Sequence, residues 1–407
     1  MHCRFCKTPI EDVVVDLGTS PLSNAYVTRE KSMLMEPYSP LKAYFCPECG
    51  LVQLDEFASP EDIFSEYDYF SSYSETWLAH AREYVDYMVA NYDLGPDSHV
   101  VEIASNDGYL LQYFVERGIP ALGVEPAANV AAVAREKGIP TECMFFGRDA
   151  AEKLKDQWGA ADLVLGNNVL AHVPDINDFV AGFAAILKEQ GIMTVEFPHL
   201  LNLVQKTQFD TIYHEHFSYL SLYTVQRIFK AHGLTVFDVQ ELPTHGGSLR
   251  VCACPEKQGR SVSRAVGELL GRELDAGLDR FEGYREFSDA VQNIKMDLLS
   301  FLIDAKRKGA TVAGYGAAAK GNTLLNYAGI RPDFISMVAD KSPYKQGKYL
   351  PGSRIPIVPP ETLLKAKPDY VLILPWNIRG EIMDQLAAIR EWGGKFVTAI
   401  PNLRVWE

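Results

Sequence analysis

The stretch Val100-Val101-Glu102-Ile103-Ala104-Ser105-Asn106-Asp107-Gly108-Tyr109-Leu110-Leu111 decides how this chain folds. It runs from an apolar strand through a turn of small residues into a helical segment, the first strand-to-helix turn of an α/β unit. Gly108, with the small Ala104 and Ser105, lets the backbone approach a ligand closely at a strand's carboxyl end, where open α/β sheets bind ligands. The turn is not Gly-x-Gly-x-x-Gly, and it carries Glu102 and Asp107. Carboxylates line a pyrophosphate site badly, but they suit a ligand bearing an ammonium and a sulfonium. The following strand ends in Gly123-Val124-Glu125-Pro126. An acid at that tip, about 20 residues on, is placed to take two ribose hydroxyls.

Around this turn, apolar runs alternate with helical segments: HVVEIA, YLLQYFVERG, PALGVEP, NVAAVAREKG and ADLVLGNN, the last with Asn167 and Asn168 at its tip. After Pro174 come a helix, INDFVAGFAAILKEQG, and a strand, IMTVEFP. The alternation predicts a doubly wound parallel sheet, preceded by a helix over 72–94. A third block opens near Glu282 with a helix to about Arg307 and again alternates strand with helix. There, Gly314-Tyr315-Gly316 follows a strand and opens a helix, a setting in which backbone N–H groups receive phosphate, with Lys320 and Asn322 adding charge and donors. NAD fits this turn poorly, because Asp333 precedes a strand instead of ending it. Lys341 lies in a polar loop, 340–348, suited to a nucleotide or sugar, and His245, Ser248 and Arg250 open the strand LRVCAC near a substrate. The chain thus divides into 1–70, 71–280 and 281–407, with no low-complexity tract and no short-period repeat.

Composition narrows the function. At 407 residues, with 47% hydrophobic and 23% charged, the chain has ample material for packed cores. Lys+Arg number 39 against 53 Asp+Glu, a net charge of −14 that disfavours nucleic acid as a partner. No stretch of 18 apolar residues occurs, so no membrane span is expected, and the start lacks a signal-peptide pattern, so a cytosolic address is. The oligomeric state stays open, a monomer included.

In a reducing cytosol, paired cysteines are more often metal ligands than disulfides. Cys3-Arg-Phe-Cys6 and Cys46-Pro-Glu-Cys49 offer four thiolates, a closed tetrahedral set suited to structural zinc, with iron in the same cage as the alternative. The 39 residues between the pairs predict a strand-rich insertion. Cys143, Cys252 and Cys254 read as buried thiols.

Two histidine motifs carry candidate chemistry. His172 sits in a loop beyond a strand's carboxyl end. Tyr213-His214-Glu215-His216-Phe217 packs three ionisable side chains between aromatics. Alternation would send Tyr213 and Glu215 one way and His214 and His216 the other, and a carboxylate beside an imidazole raises its pKa and orients it as a general base. Metal binding by His-x-His is the rival reading.

The first turn with its acidic strand tips resembles the class I S-adenosylmethionine-dependent methyltransferases, with Ala104 and Asn106 standing where that family has glycines. The succession of two CxxC pairs, that turn, Tyr-His-Glu-His-Phe, Thr244-His-Gly-Gly-Ser-Leu-Arg250 and Gly314-Tyr-Gly-Ala-Ala-Ala-Lys-Gly-Asn322 is similar, over nearly the whole chain, to the sugar C-3-methyltransferase family. The resemblance implies an α/β architecture: a zinc-binding head, a class I methyltransferase domain and a C-terminal Rossmann-like domain. It implies S-adenosylmethionine held by Glu102, Ala104, Asn106, Asp107, Gly108, Glu125, Pro126, Asn167 and Asn168, and methylation at C-3 of a dTDP-linked 4-keto-deoxysugar. It also implies His216 as the base, supported by Glu215, with Tyr213, His172 and either Tyr67 or Tyr69 in the active site. O- or N-methylation of another metabolite would not need such a base, and a non-catalytic zinc-headed nucleotide-binding protein would lack affinity for the methyl donor.

Overall fold

In the computed structural model, which describes residues 1–59, 71–73 and 75–407, the described strands form three sheets. The middle sheet runs Leu234–Leu242, Ser248–Pro255, Leu187–Pro198, Ala161–Asn167, Val100–Ile103, Ala121–Val124, Thr141–Glu142. Its last five members are parallel, as the alternation predicts. Ser248–Pro255 departs from that expectation and enters antiparallel between two neighbours. Only residues 243–247 join it to Leu234–Leu242, and so short a link connects antiparallel strands alone, a parallel pair needing a crossover of a dozen or more residues. Strand order reverses between Val100–Ile103 and Ala161–Asn167, which opens the crevice where such sheets bind ligands.

Local sequence explains the boundaries. Asp175 caps the helix Ile176–Ile186, its carboxylate accepting from Asn177 N and Asp178 N at 3.1 and 3.0 Å. That helix stops earlier than its polar tail suggested, and Leu187 to Gln190 join the strand Leu187–Pro198. The helix Glu75–Asn91 buries Ala81, Tyr84, Val85 and Met88, one face at helical spacing. Cys252 and Cys254 are buried as expected, but Cys143 is exposed, because it lies past the end of the two-residue strand Thr141–Glu142 at the sheet's edge.

The head sheet, Asp12–Ser20, Ser39–Phe45 and Val52–Leu54, is antiparallel, and its first two strands lie in the long gap between the cysteine pairs. Ser218–Tyr219, from the middle of the chain, closes its edge. The C-terminal sheet has five parallel strands and a final antiparallel one, Arg404–Trp406. Helix Arg285–Arg307 shares one apolar core with the head sheet and this sheet, through Phe45, Phe287, Leu298 and Leu372. Among the described residues, no helix is long and apolar enough to cross a membrane.

The first turn is tightly wound. Ala104, Asn106 and Gly108 all take positive φ, at 57°, 50° and 75°. Glu125 holds this shape, accepting from Asn106 N and Ala127 N at 2.9 Å each. A Cβ on Gly108 would lie 2.3 Å from Ile139 Cδ1. Gly108→Ala should therefore cost about 1–3 kcal/mol, read as a lowered urea midpoint. An unchanged midpoint would show that the turn has room to spare.

Candidate active site

The four head sulfurs of Cys3, Cys6, Cys46 and Cys49 lie within 4.8 Å of one another. Cys3–Cys49 and Cys6–Cys46 are 3.6 and 3.5 Å apart, close to the ~3.8 Å edge of a tetrahedron with Zn–S bonds of about 2.3 Å. Both knuckles close alike: Lys7 N donates to Cys3 O, Gly50 N donates to Cys46 O, and Lys7 and Gly50 have positive φ. A hydrogen bond from Cys49 draws Cys3 down to about 4, while burial pushes Cys46 up to about 11. A divalent ion lets all four ionise, so this donor set fits zinc.

From the metal centre, contacts lead inward. Gln53 donates to Cys3 Sγ at 3.2 Å and accepts from Arg4 N at 2.8 Å. Arg4 donates to the Leu54 and Pro174 carbonyls and stacks over Phe217. Leu54 N in turn donates to Phe217 O at 3.0 Å, next to His216. The head thus grips the Tyr-His-Glu-His-Phe turn.

Along the crevice, both carboxylate oxygens of Glu102, Ser105 Oγ, Asp107 Oδ1, the Asn167 amide and Asn168 Oδ1 are buried without hydrogen-bond partners among the described residues. An orphaned buried polar group costs roughly 1–3 kcal/mol, so a row of them fits a polar ligand laid across this edge. Burial, then the charges of Glu125 and Asp107, hold Glu102 well above the usual carboxylate range, a state that a cationic ligand would relieve. Asp107 pairs with Lys137 at 3.0 Å and with Ser72. Pro126 stands just beyond Glu125, its carbonyl facing the Cys143 thiol at 3.6 Å.

The histidine motifs converge. The rings of His172 and His216 lie 4.5 Å apart, and Tyr213 lies 4.0 Å from His216. His216 Nδ1 donates to Thr211 O at 2.8 Å, and His172 Nδ1 donates to Glu215 O at 2.8 Å. A carbonyl only accepts, so His216 carries its proton on Nδ1 and its lone pair on Nε2, which bonds no described residue. Burial, then the neighbouring His172, holds His216 well below the usual histidine range, and burial draws His172 and His245 each to about 4.

This geometry overturns the alternating arrangement of the motif. The segment is a turn, with His216 N bonded to Tyr213 O at 2.9 Å, so Tyr213 and His216 share a side. His214 donates to Pro40 O instead. Nor does the Glu215 carboxylate touch His216: it accepts from Asn24 N at 3.1 Å, and only its backbone carbonyl serves the site, through His172. With no carboxylate to offset burial, the His216 pKa is lowered, not raised.

Of the expected substrate residues, His245 and Lys320 join the cluster. His245 meets Trp77 edge-on at 5.4 Å, and Lys320 donates to Asn377 at 2.9 Å while lying 4.9 Å from the Trp376 ring. Ser248 bonds Thr244 O within its own turn, and Arg250 pairs with Glu196 at 2.6 Å. Tyr315 bonds Gln385, Asn322 donates to Ser23 O at 2.6 Å, and Lys341 is exposed. The Gly314–Gly316 turn is also filled from within: Gly316 N donates to Ala339 O and Ala317 N to Asp340, both at 2.7 Å. Tyr67 and Tyr69 lie outside the described residues. Sequence reasoning missed His80, which bonds Glu196 at 2.8 Å and stacks on Trp77, and Trp376, anchored on Asp210 at 2.7 Å. Glu196 was visible as a lone acid inside the apolar run IMTVEFP.

Because the zinc knuckles grip the His216 turn, Cys46→Ser should lose bound zinc by elemental analysis and lower stability by an amount on the order of several kcal/mol. It should also lower turnover, by loosening the strand that holds the His216 turn. Full zinc content in this variant would contradict the four-sulfur site.

Three family descriptions match along the chain: a zinc binding domain at 3–64, a methyltransferase domain at 75–239 and a C-methyltransferase C-terminal domain at 243–401. C-methyltransferase NovU of Streptomyces niveus is 38% identical over 404 residues, 99% of this chain and 96% of NovU. A ubiquinone biosynthesis O-methyltransferase of Rhodopseudomonas palustris (strain BisA53) is 27% identical over 96 residues, 24% of this chain and 38% of that protein. Among solved structures, the PH0226 protein of Pyrococcus horikoshii OT3 aligns with TM-score 0.39 at 14% identity, over 49% of this chain and 99% of that one. With a zinc-fitting head, a doubly wound middle sheet and 38% identity to NovU along nearly its whole length, the chain belongs to the zinc-headed, S-adenosylmethionine-dependent C-methyltransferases.

Proposed function

We propose that this C-methyltransferase acts on C-3 of a nucleotide-linked 4-keto-deoxysugar, dTDP-linked by preference, in cytosolic deoxysugar biosynthesis. Its units on this reading are a head at 1–70, a methyltransferase domain at 71–280 and a substrate-binding domain at 281–407. One observation carries the reading: His216 presents an uncharged imidazole whose Nε2 has no partner among the described residues, while its Nδ1–H is fixed on Thr211 O. A saturated carbon becomes a nucleophile toward a sulfonium methyl once it loses a proton, and a neighbouring carbonyl makes that proton removable. A buried, correctly protonated imidazole is the base this step requires.

The other residues have separate tasks. Tyr213 lies against the His216 ring and sets its plane, while His172 and His245 surround it without competing charge. S-adenosylmethionine, when bound, supplies a methyl group made electrophilic by its sulfonium. Glu102, Asp107, Asn167 and Asn168 face its polar portions from the strand tips, and Glu125 offers its carboxylate to ribose hydroxyls while holding the turn through Asn106 N. Removal of water from this cleft strengthens each of these interactions.

His216→Ala should keep affinity for the methyl donor and lose roughly 10²–10⁴-fold in turnover. A panel of dTDP- and GDP-linked 4-keto sugars, scored by product mass and carbon NMR, identifies the acceptor, and O-methyl product in place of C-methyl product would defeat the proposal. The pH profile gives a second check. His216 is held below the usual histidine range, so it stays deprotonated at neutral pH and is lost as a base only on acidification. The acid limb of kcat/KM should lie below about pH 6.5, and a limb centred at 7 or above would rule out His216 as that base.

A further inference from the structure

We infer that Lys320 is the electrophilic partner of His216, its ammonium placed to take up the negative charge that forms on the acceptor's carbonyl oxygen as the proton leaves. This inference rests on the reading of His216 as a base beside a carbonyl. The helix Ala319–Ala328 delivers the lysine to the His216 turn. Thr323 Oγ1, buried, donates to Ile212 O at 3.0 Å, immediately before Tyr213. Lys320 stands three residues earlier on the same helix face. Its Nζ donates to Asn377 Oδ1 at 2.9 Å and lies 4.9 Å from the Trp376 ring, which Asp210 fixes at 2.7 Å. Trp376 is wedged in turn against the His245 loop, where a Cβ on Gly246 would come within 2.5 Å of the ring.

Three features separate this role from that of a diphosphate ligand. First, Lys320 bonds no carboxylate among the described residues: Asp210 lies close enough to favour its charge, but Asp210 Oδ2 accepts from Trp376 and Nζ donates to the neutral amide of Asn377. A cation whose hydrogen bond goes to a neutral amide, in a site of uncharged imidazoles, suits an anion that exists only transiently. Second, its charge reaches His216 and His245, and opposes protonation of both. Third, the amides of the adjacent Gly314–Gly316 turn are taken by Ala339 O and by the Asp340 carboxylate, which would repel a diphosphate there. The step balances as follows: the C–H proton moves to His216 Nε2, the C–H electron pair becomes the C–C π bond, and the carbonyl π pair moves to oxygen. Lys320 donates a hydrogen bond to that oxygen and keeps its own proton.

The full-length, zinc-loaded enzyme tests this with Lys320→Gln, using dTDP as a carbonyl-free probe of diphosphate binding and dTDP-4-keto-6-deoxyglucose in D₂O as a probe of proton removal. We expect C-3 exchange and turnover to fall about 10²–10³-fold, with dTDP affinity by calorimetry within about twofold of the parent enzyme. Wild-type exchange rates with dTDP affinity reduced about tenfold or more would make Lys320 a diphosphate ligand and overturn the inference. Absence of exchange in the parent enzyme would strike instead at the enolate reading of His216. Should Lys320→Gln fail to fold, Asn377→Ala frees the ammonium from its tether. It should slow exchange about tenfold at unchanged dTDP affinity, and an undiminished rate would count against the proposal.

Discussion

Leu54 donates its backbone N–H to the Phe217 carbonyl at 3.0 Å, and Val52 and Gln53 pair with Tyr219 and Ser218. Through these few bonds a strand of the zinc head becomes the neighbour of the residues that follow His216. A three-residue strand and a two-residue strand do not hold together by themselves in water, since the chain entropy lost in joining segments so far apart exceeds what a few hydrogen bonds return. The pairing persists because the cysteine knuckles fix one side of it. Gln53 touches a metal-ligand sulfur with its side chain and pairs with Ser218 through its backbone, so the head's metal geometry and the position of His216 are mechanically one arrangement.

The same turn is gripped from two further directions. Asn24 of the head binds the Glu215 carboxylate, and Thr323 of the C-terminal helix binds the Ile212 carbonyl. Asn322, next to Thr323, reaches back to Ser23. All three portions of the chain therefore meet around residues 212–217. This explains why Glu215 is buried yet does not act on its neighbouring imidazole. Its carboxylate is a fastener between the turn and the head, held above the usual carboxylate range by burial.

Desolvation acts in opposite senses along the cleft. On the sheet edge it pushes Glu102 up, and in the histidine cluster it pushes His172, His216 and His245 down. Both shifts disfavour charge in the resting protein. On the proposed reading, the edge would suit a cationic methyl donor and the cluster a proton that arrives only during reaction. Lys320 stands between these conditions as a cation without a bonded carboxylate among the described residues.

Much of this was legible in the chain. The spacing of Cys3, Cys6, Cys46 and Cys49 implied one closed metal site, because two CxxC pairs are local chelators whose chemistry does not depend on distant residues. The alternation after His99 implied the parallel portion of the middle sheet, and the residues from Glu102 to Gly108 implied its ligand-binding turn, because a strand's period and a turn's steric needs are properties of short segments. What lay beyond the sequence was direction and company. Whether Glu215 met His216 depended on a turn, Tyr213 N-terminal to His216 by one hydrogen-bonded step, that replaced the strand-like alternation. Whether Arg250, Ser248, Asn322 and Lys320 faced a substrate or the protein depended on Glu196, Thr244, Ser23 and Trp376, partners between 4 and 299 residues away. Residue types set which bonds are chemically available, but only the folded chain brings competing partners within the roughly 3 Å at which one of them wins.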